Sequence, residues 1–236
     1  PASSKTVVRD VENFEQAVTG ALQQVDQVQV HKVVLADVMD VEARQAVDVV
    51  RSLQTLRKNH PDCTVFSVGN GRGQSFIGAS PERLLSINEG RLTTDALAGS
   101  ASRGKTTEAD NELAQSLLNS ETERCEHQAT LDRTKVSPLD ILAKLHPTPA
   151  VAGLPLKNAC ELIYKHESFD RGLYAAPLGW IDTEGNSEFI VGIRSALIDG
   201  CKARLYAGAG IVTGSEPAKE LAEIKLKLQT LLNALV

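Results

Sequence analysis

Two hairpin signals lying close together constrain this chain most. Cys63–Val68 and Gln74–Gly78 are short apolar or β-branched runs joined by Gly69-Asn70-Gly71-Arg72-Gly73, and Leu84–Ile87 and Arg91–Thr94 flank Asn88-Glu89-Gly90. Glycine and asparagine tolerate the positive φ that tight connections between antiparallel strands demand. The first Gly-rich run lacks the Lys-Ser/Thr and the helix of a phosphate loop, so it reads as a turn. Further strands are expected at His31–Ala36, Gly179–Asp182, Ser187–Ile198 and Lys202–Ala209. Apolar residues at helical spacing predict helices over Val11–Val30, Val41–His60, Glu108–His127, Leu139–Leu145, Leu156–His166 and Glu216–Leu235. Strands grouped in hairpins, not alternating singly with helices, predict an α+β fold of antiparallel β-sheets packed with helices.

Composition narrows the partners. A chain of 236 residues with 42% hydrophobic and 23% charged residues can bury a sizeable core, read here as one domain over 1–236. A net charge of −5 gives nucleic acid little electrostatic purchase, and no apolar run is long enough to span a membrane. Cys63, Cys125, Cys160 and Cys201 are scattered, with no CxxC pair. That spacing suits reduced thiols in a cytoplasmic setting better than a zinc site or a disulfide framework. Pro1 in place of a methionine suggests a trimmed start.

Three features point toward chemistry. Glu123 and Glu126 are three residues apart on an expected helix, and so are Glu220 and Glu223. Each pair presents two carboxylates on one helical face, which can solvate a surface or, if two such faces oppose, offer oxygen ligands to Mg²⁺. Lys32 heads an apolar strand, where an ammonium either blocks edge pairing or, if buried, loses its proton readily and becomes a base. In Gly78-Ala79-Ser80-Pro81-Glu82, small residues permit close approach and Pro81 sets the turn that presents Glu82.

Lys32-Val-Val-Leu-Ala, Gly78-Ala-Ser-Pro-Glu82, Leu97-Ala-Gly-Ser100, Glu126-His127-Gln128, His146-Pro-Thr-Pro-Ala-Val151, Phe169-Asp-Arg-Gly-Leu-Tyr174 and Ala207-Gly-Ala-Gly-Ile-Val212 follow one another in order. From about Val28 onward this order resembles the C-terminal part of the chorismate-utilising enzymes, the family of anthranilate, aminodeoxychorismate, salicylate and isochorismate synthases. The resemblance implies a complex α+β fold, chorismate as the small-molecule substrate, and Mg²⁺ as cofactor. It implies Glu126 and Glu223 as metal ligands, with Glu123 and Glu220 supporting them through water. Leu97, Gly99, Ala150, Val151, Tyr174, Arg194, Gly208, Ala209, Gly210 and Lys227 match positions around the substrate, where Arg can fork onto a carboxylate and glycine lets backbone N–H groups approach. Lys32 is similar to the lysine that activates water for attack at C2, and Glu82 to the acid that protonates the departing C4 hydroxyl.

These matches imply isochorismate synthase activity, an isomerase reaction feeding menaquinone, phylloquinone, siderophore or salicylate synthesis. Salicylate synthase, which adds pyruvate elimination, is the alternative enzyme, although members of that kind tend to carry Thr where Ala150 stands. A non-catalytic fragment of the fold is the alternative of another class. The chain also departs from the family pattern. Asp37 replaces the Arg usual after Val-Leu-Ala, and Cys125 stands where His is frequent. Only Gln128–Leu145 separates Glu126-His127 from the His-Pro-Thr-Pro block, shorter than in relatives, which suggests a missing segment near 131–135. The N-terminal part that completes the sheets in relatives is also expected to be absent, leaving a need for that part or for a partner.

Overall fold

The structure, a computed structural model, describes residues 7–9 (as backbone), 13–25, 30–89, 91–94 and 137–235. The expected helix at Glu108–His127, the short connection at 128–136, and Leu97, Gly99, Glu123 and Glu126 lie outside the described residues. The elements run β1 (Val7–Arg9), α1 (Phe14–Val25), β2 (Lys32–Glu42), α2 (Val49–Asn59), β3 (Thr64–Gly69), β4 (Gln74–Ser80), β5 (Arg83–Asn88), β6 (Arg91–Thr93), α3 (Pro138–Leu145), β7 (Gly153–Leu154), α4 (Leu156–His166), β8 (Pro177–Ile181), β9 (Ser187–Val191), β10 (Ser195–Asp199), β11 (Lys202–Val212) and α5 (Pro217–Leu235).

Both hairpins form. β3 pairs with β4 and β5 with β6, and Asn70 Oδ1 accepts from the N–H groups of Arg72 (2.8 Å) and Gln74 (3.3 Å) to hold the first turn. The described strands make two antiparallel sheets, a seven-stranded one in the order β1-β2-β11-β10-β4-β3 with β7 also on β2, and a four-stranded one in the order β6-β5-β9-β8. The expected α+β class therefore holds.

Alternation along the strands decides what each face packs against. In β11, Ala207, Ala209 and Ile211 enter a core built with α1, α2, α4 and α5, through residues such as Val18, Leu56, Leu162 and Leu228. Tyr206, of opposite parity, joins a second core with Phe76, Leu85, Phe189 and Val191, between the two sheets. Each core is continuous because apolar positions recur at the period of the element that carries them.

Several boundaries differ from the sequence expectation, among them the first helix, which is Phe14–Val25, and β11, which runs on to Val212; three others have a clear physical reason. β2 continues to Glu42, because Asp37 and Asp40 remain in the ladder. Asp40 lies opposite Arg204 and accepts from its Nε (2.7 Å) and Nη2 (2.8 Å), so a cross-strand pair replaces apolar packing. The helix expected from Val41 starts only at Val49, after Asp48 caps it by accepting from the Arg51 N–H at 3.0 Å. The single strand expected over Ser187–Ile198 is two, β9 and β10, which belong to different sheets. The chain crosses between sheets at Gly192, where a Cβ would lie 2.7 Å from the Leu173 carbonyl oxygen.

Candidate active site

The large sheet has a notch at the end where β2 starts. β10 begins at Ser195, paired with Tyr206 on one side and Gly78 on the other, while β11 runs on to Val212 and β4 to Ser80. The gap between β11 and β4 therefore spans two strand spacings, about 10 Å. Lys32 opens β2 opposite Val212, and Glu82 follows the end of β4, its carbonyl accepting from the Val191 N–H at 3.0 Å. The antiparallel order thus brings Lys32 and Glu82 to the same end of the sheet from strands far apart in sequence.

Gly208 and Gly210 floor one side of the notch. Being two apart on one strand, they face the same way. A Cβ on Gly208 would lie 2.7 Å from Tyr174 Oη, and one on Gly210 would lie 3.0 Å from Lys32 Cε and 3.9 Å from its Nζ. Tyr174 and Lys32 therefore lie over the same face because both glycines lack a side chain. The Tyr174 ring stacks on Tyr206 with centroids 5.3 Å apart and an interplanar angle of 11°. Burial pushes its hydroxyl above its ordinary pKa, so it stays a neutral hydrogen-bonding group. Ala209, between the glycines, turns its methyl into the opposite core.

α5 closes the edge of β11. Past the end of β10 the Gly208 carbonyl accepts from Lys227 Nζ at 2.7 Å, and the same ammonium pairs with Glu223 Oε1 at 2.7 Å. Glu220 lies one turn back on that helix. Its carboxyl is raised above its ordinary value, first by burial, with the charge of Glu223 adding to the effect while a Ser215 hydrogen bond and Lys227 oppose it. Two oxygen donors that repel one another suit a small hard cation such as Mg²⁺, so these residues fit half of the expected metal site. Among the described residues no cluster of three or more metal-ligating side chains occurs, and Glu123 and Glu126 lie outside them.

Ala150 and Val151 follow the His146-Pro147 peptide in a turn, with the Val151 N–H donating to the Thr148 carbonyl at 3.1 Å. A cavity of about 840 Å³ opens beside them, walled by His146, Val151, Cys160, Glu167, Arg171 and Tyr174. It shares Val151 and Tyr174 with the expected site and does not reach Lys32, Glu82 or Glu223. Among the described residues His146 Nδ1 and Thr148 Oγ1 are buried without a hydrogen-bond partner, and burial lowers the His146 pKa. Arg194 stands apart from the Lys32–Tyr174 group. It is exposed, with Nη1 donating to Cys63 Sγ at 3.7 Å, and its charge adds to burial in lowering the pKa of His60.

Sequence reasoning missed a buried ion pair. Arg171 donates from Nε to Glu167 Oε2 at 2.8 Å and from Nη2 to Glu167 Oε1, and it reaches the carbonyls of Val151 (2.9 Å) and Val34 (2.8 Å). Its guanidinium lies 5.8 Å from the Tyr174 ring centroid. The available signal was an Arg inside the Phe169–Tyr174 block with a Glu four residues before it.

A dissected sheet, a glycine-floored notch and a carboxylate-bearing closing helix together define a class, and the chain belongs to the chorismate binding enzyme family, which matches residues 1–134 and 128–236. It is 38% identical to the salicylate biosynthesis isochorismate synthase of Pseudomonas aeruginosa, over 94% of this chain and 54% of that protein. It is 34% identical to the isochorismate synthase MenF of Bacillus subtilis, over 96% of this chain and 56% of that one. Among solved structures it resembles DhbC of Bacillus anthracis, with a TM-score of 0.88, 29% identity, and coverage of 100% of this chain and 75% of that one. The chain thus spans about half the length of these two sequence relatives. The Pseudomonas alignment extends over 262 positions, more than the 236 residues here, so that relative carries residues the chain lacks between matched segments. The two family matches overlap at 128–134, within the shortened connection noted in the sequence.

Proposed function

We propose that the chain catalyses the isochorismate synthase reaction, the isomerisation of chorismate. Water adds at C2 and the C4 hydroxyl leaves as water, so atoms balance with no other reactant. The observation that carries this reading is Lys32 lying over Gly210 on the face where Tyr174 lies over Gly208, which puts a candidate base beside a glycine-lined floor. The names of both sequence relatives agree with it.

Lys32 takes the proton from the attacking water, and Glu82 delivers one to the departing C4 oxygen. This division requires Lys32 neutral and Glu82 protonated at the moment of reaction. Lys227, Tyr174 and the Gly208–Gly210 amides hold the two substrate carboxylates, with Ala150 and Val151 beside the ring. Glu223 with Glu126, helped by Glu220 and Glu123, would hold Mg²⁺, which when bound supplies positive charge against the ring carboxylate. The proposed setting is cytoplasmic, where Cys63, Cys160 and Cys201 would stay free thiols; no described helix is long and apolar enough to cross a membrane. The isochorismate would serve salicylate, siderophore, menaquinone or phylloquinone synthesis.

Incubation with chorismate and Mg²⁺, followed by proton NMR, tests the reading. Isochorismate should appear, and its formation should stop with EDTA. Unchanged chorismate would overturn the assignment, and salicylate fluorescence would move it to salicylate synthase.

A further inference from the structure

We propose that Arg171, locked by Glu167, is a positioning residue that holds the Val151 carbonyl and the Tyr174 ring in place as one wall of the substrate site; this rests on the isochorismate synthase reading above. The argument starts at the outer edge of β2. β7 covers that edge only at Lys32 and Val33, and β1 only from Asp40 to Glu42. Between them the backbone groups of β2 need partners, since a buried unpaired N–H or C=O is expensive. The Val34 N–H finds the Ala152 carbonyl at 2.8 Å. The next two are met by side chains: the Ala36 N–H donates to Glu167 Oε1 at 2.8 Å, and the Val34 carbonyl accepts from Arg171 Nη2 at 2.8 Å. The ion pair thus does the work of a missing strand.

A strand would satisfy β2 and nothing more. Arg171 also spends Nη1 on the Val151 carbonyl and lays its guanidinium by the Tyr174 ring. Its side chain is 19% exposed and that of Glu167 is 4% exposed, so the fork is shielded and its geometry is set by fixed acceptors. A lysine ammonium cannot meet those acceptors in a planar fork. Lys32 and Glu82 take their own backbone bonds from the β7 and β11 ladders and from the end of β4, not from Arg171 or Glu167. Loosening Arg171 should therefore weaken substrate binding more than turnover.

The test is steady-state kinetics with chorismate for Arg171→Lys and Glu167→Gln, alongside thermal unfolding. For Arg171→Lys we expect KM to rise roughly tenfold or more with kcat within about threefold, and for Glu167→Gln a smaller rise of the same kind. A folded Arg171→Lys with wild-type KM, or one that loses kcat alone, overturns the role. If that variant does not fold, Glu167→Gln decides on the same criterion. Failure of both to fold marks the pair as structural only and overturns it too. A wild-type chain that neither binds nor converts chorismate overturns the functional reading first, and this role with it.

Discussion

The chemistry proposed for Lys32 and Glu82 depends on where the ladder places them. Lys32 is only partly buried and stands at the first rung of β2, with its aliphatic stem beside Gly210. Removing a well-placed general base or acid typically lowers the rate by ~10²–10⁴. Lys32→Ala and Glu82→Gln should each show a loss of that size in isochorismate formation, with far-UV circular dichroism unchanged. Activity within a few fold of wild type in either would remove that residue from the mechanism. Glu220 offers a prediction tied to pH. Its folded pKa is raised, chiefly by burial, above the ordinary 4.5. A carboxyl raised in the folded state contributes stability below its unfolded pKa and loses it as pH rises through the folded value. In EDTA, Glu220→Gln should therefore melt above wild type at pH 7, with the gap closing as pH falls toward 4.5. A gap that widens on acidification would contradict the sign. These residues were nameable from the sequence because they lie in short blocks of family-like order. Arg171 was passed over because its partners, Val34 and Val151, are backbone atoms far away in sequence.

Among the elements, helices and turns were the most legible. Leu156–His166 forms as its periodicity predicts, and both hairpins pair as expected, the first turning through Gly71 and Gly73 and the second with Glu89 at a φ of +48°. Two of the misjudged boundaries depend on distant partners, while the start of α2 is set by the nearby Asp48 cap. β2 outruns its apolar stretch because β11 pairs it along its whole length, and β9 parts from β10 because the two pair in different sheets, the chain crossing at Gly192 where a side chain would not fit. Gly153 of β7 shows how an element can control a site residue. Its φ is +131°, a region that favours glycine, and a Cβ there would sit 2.1 Å from the Lys32 carbonyl oxygen. Gly153→Ala should destabilise the chain by about 1–3 kcal/mol from backbone strain alone. It should lower activity further by displacing Lys32. A urea melt at the wild-type midpoint would show that β7 does not constrain this edge.

At the scale of the molecule, the proposed site exists because separate layers meet around one notch. β2 and β11 supply the floor, β4 the far side, α5 the carboxylates, and the loop after α4 the aromatic wall. A ligand that binds only the folded state stabilises all of it by mass action, about 2.7 kcal/mol at a hundredfold excess over Kd. For a chain of this size that is a rise of roughly 5–10 °C. Mg²⁺ with chorismate should raise the melting temperature by an amount of this order, and Glu223→Gln should abolish most of the rise. An equal shift in wild type and variant would exclude Glu223 as a ligand. The sequence by itself determined the fold class, the hairpins, the helical faces and the blocks that announce the family, because local turn chemistry and hydrophobic period are written in neighbouring residues. Tertiary structure alone decided that β10 starts late enough to leave a notch, that Tyr174 and Lys32 share its face, and that Glu167 and Arg171 stand in for a strand. Strand order, register and the partners of buried polar groups are set by contacts between residues more than a hundred positions apart, which no local pattern encodes.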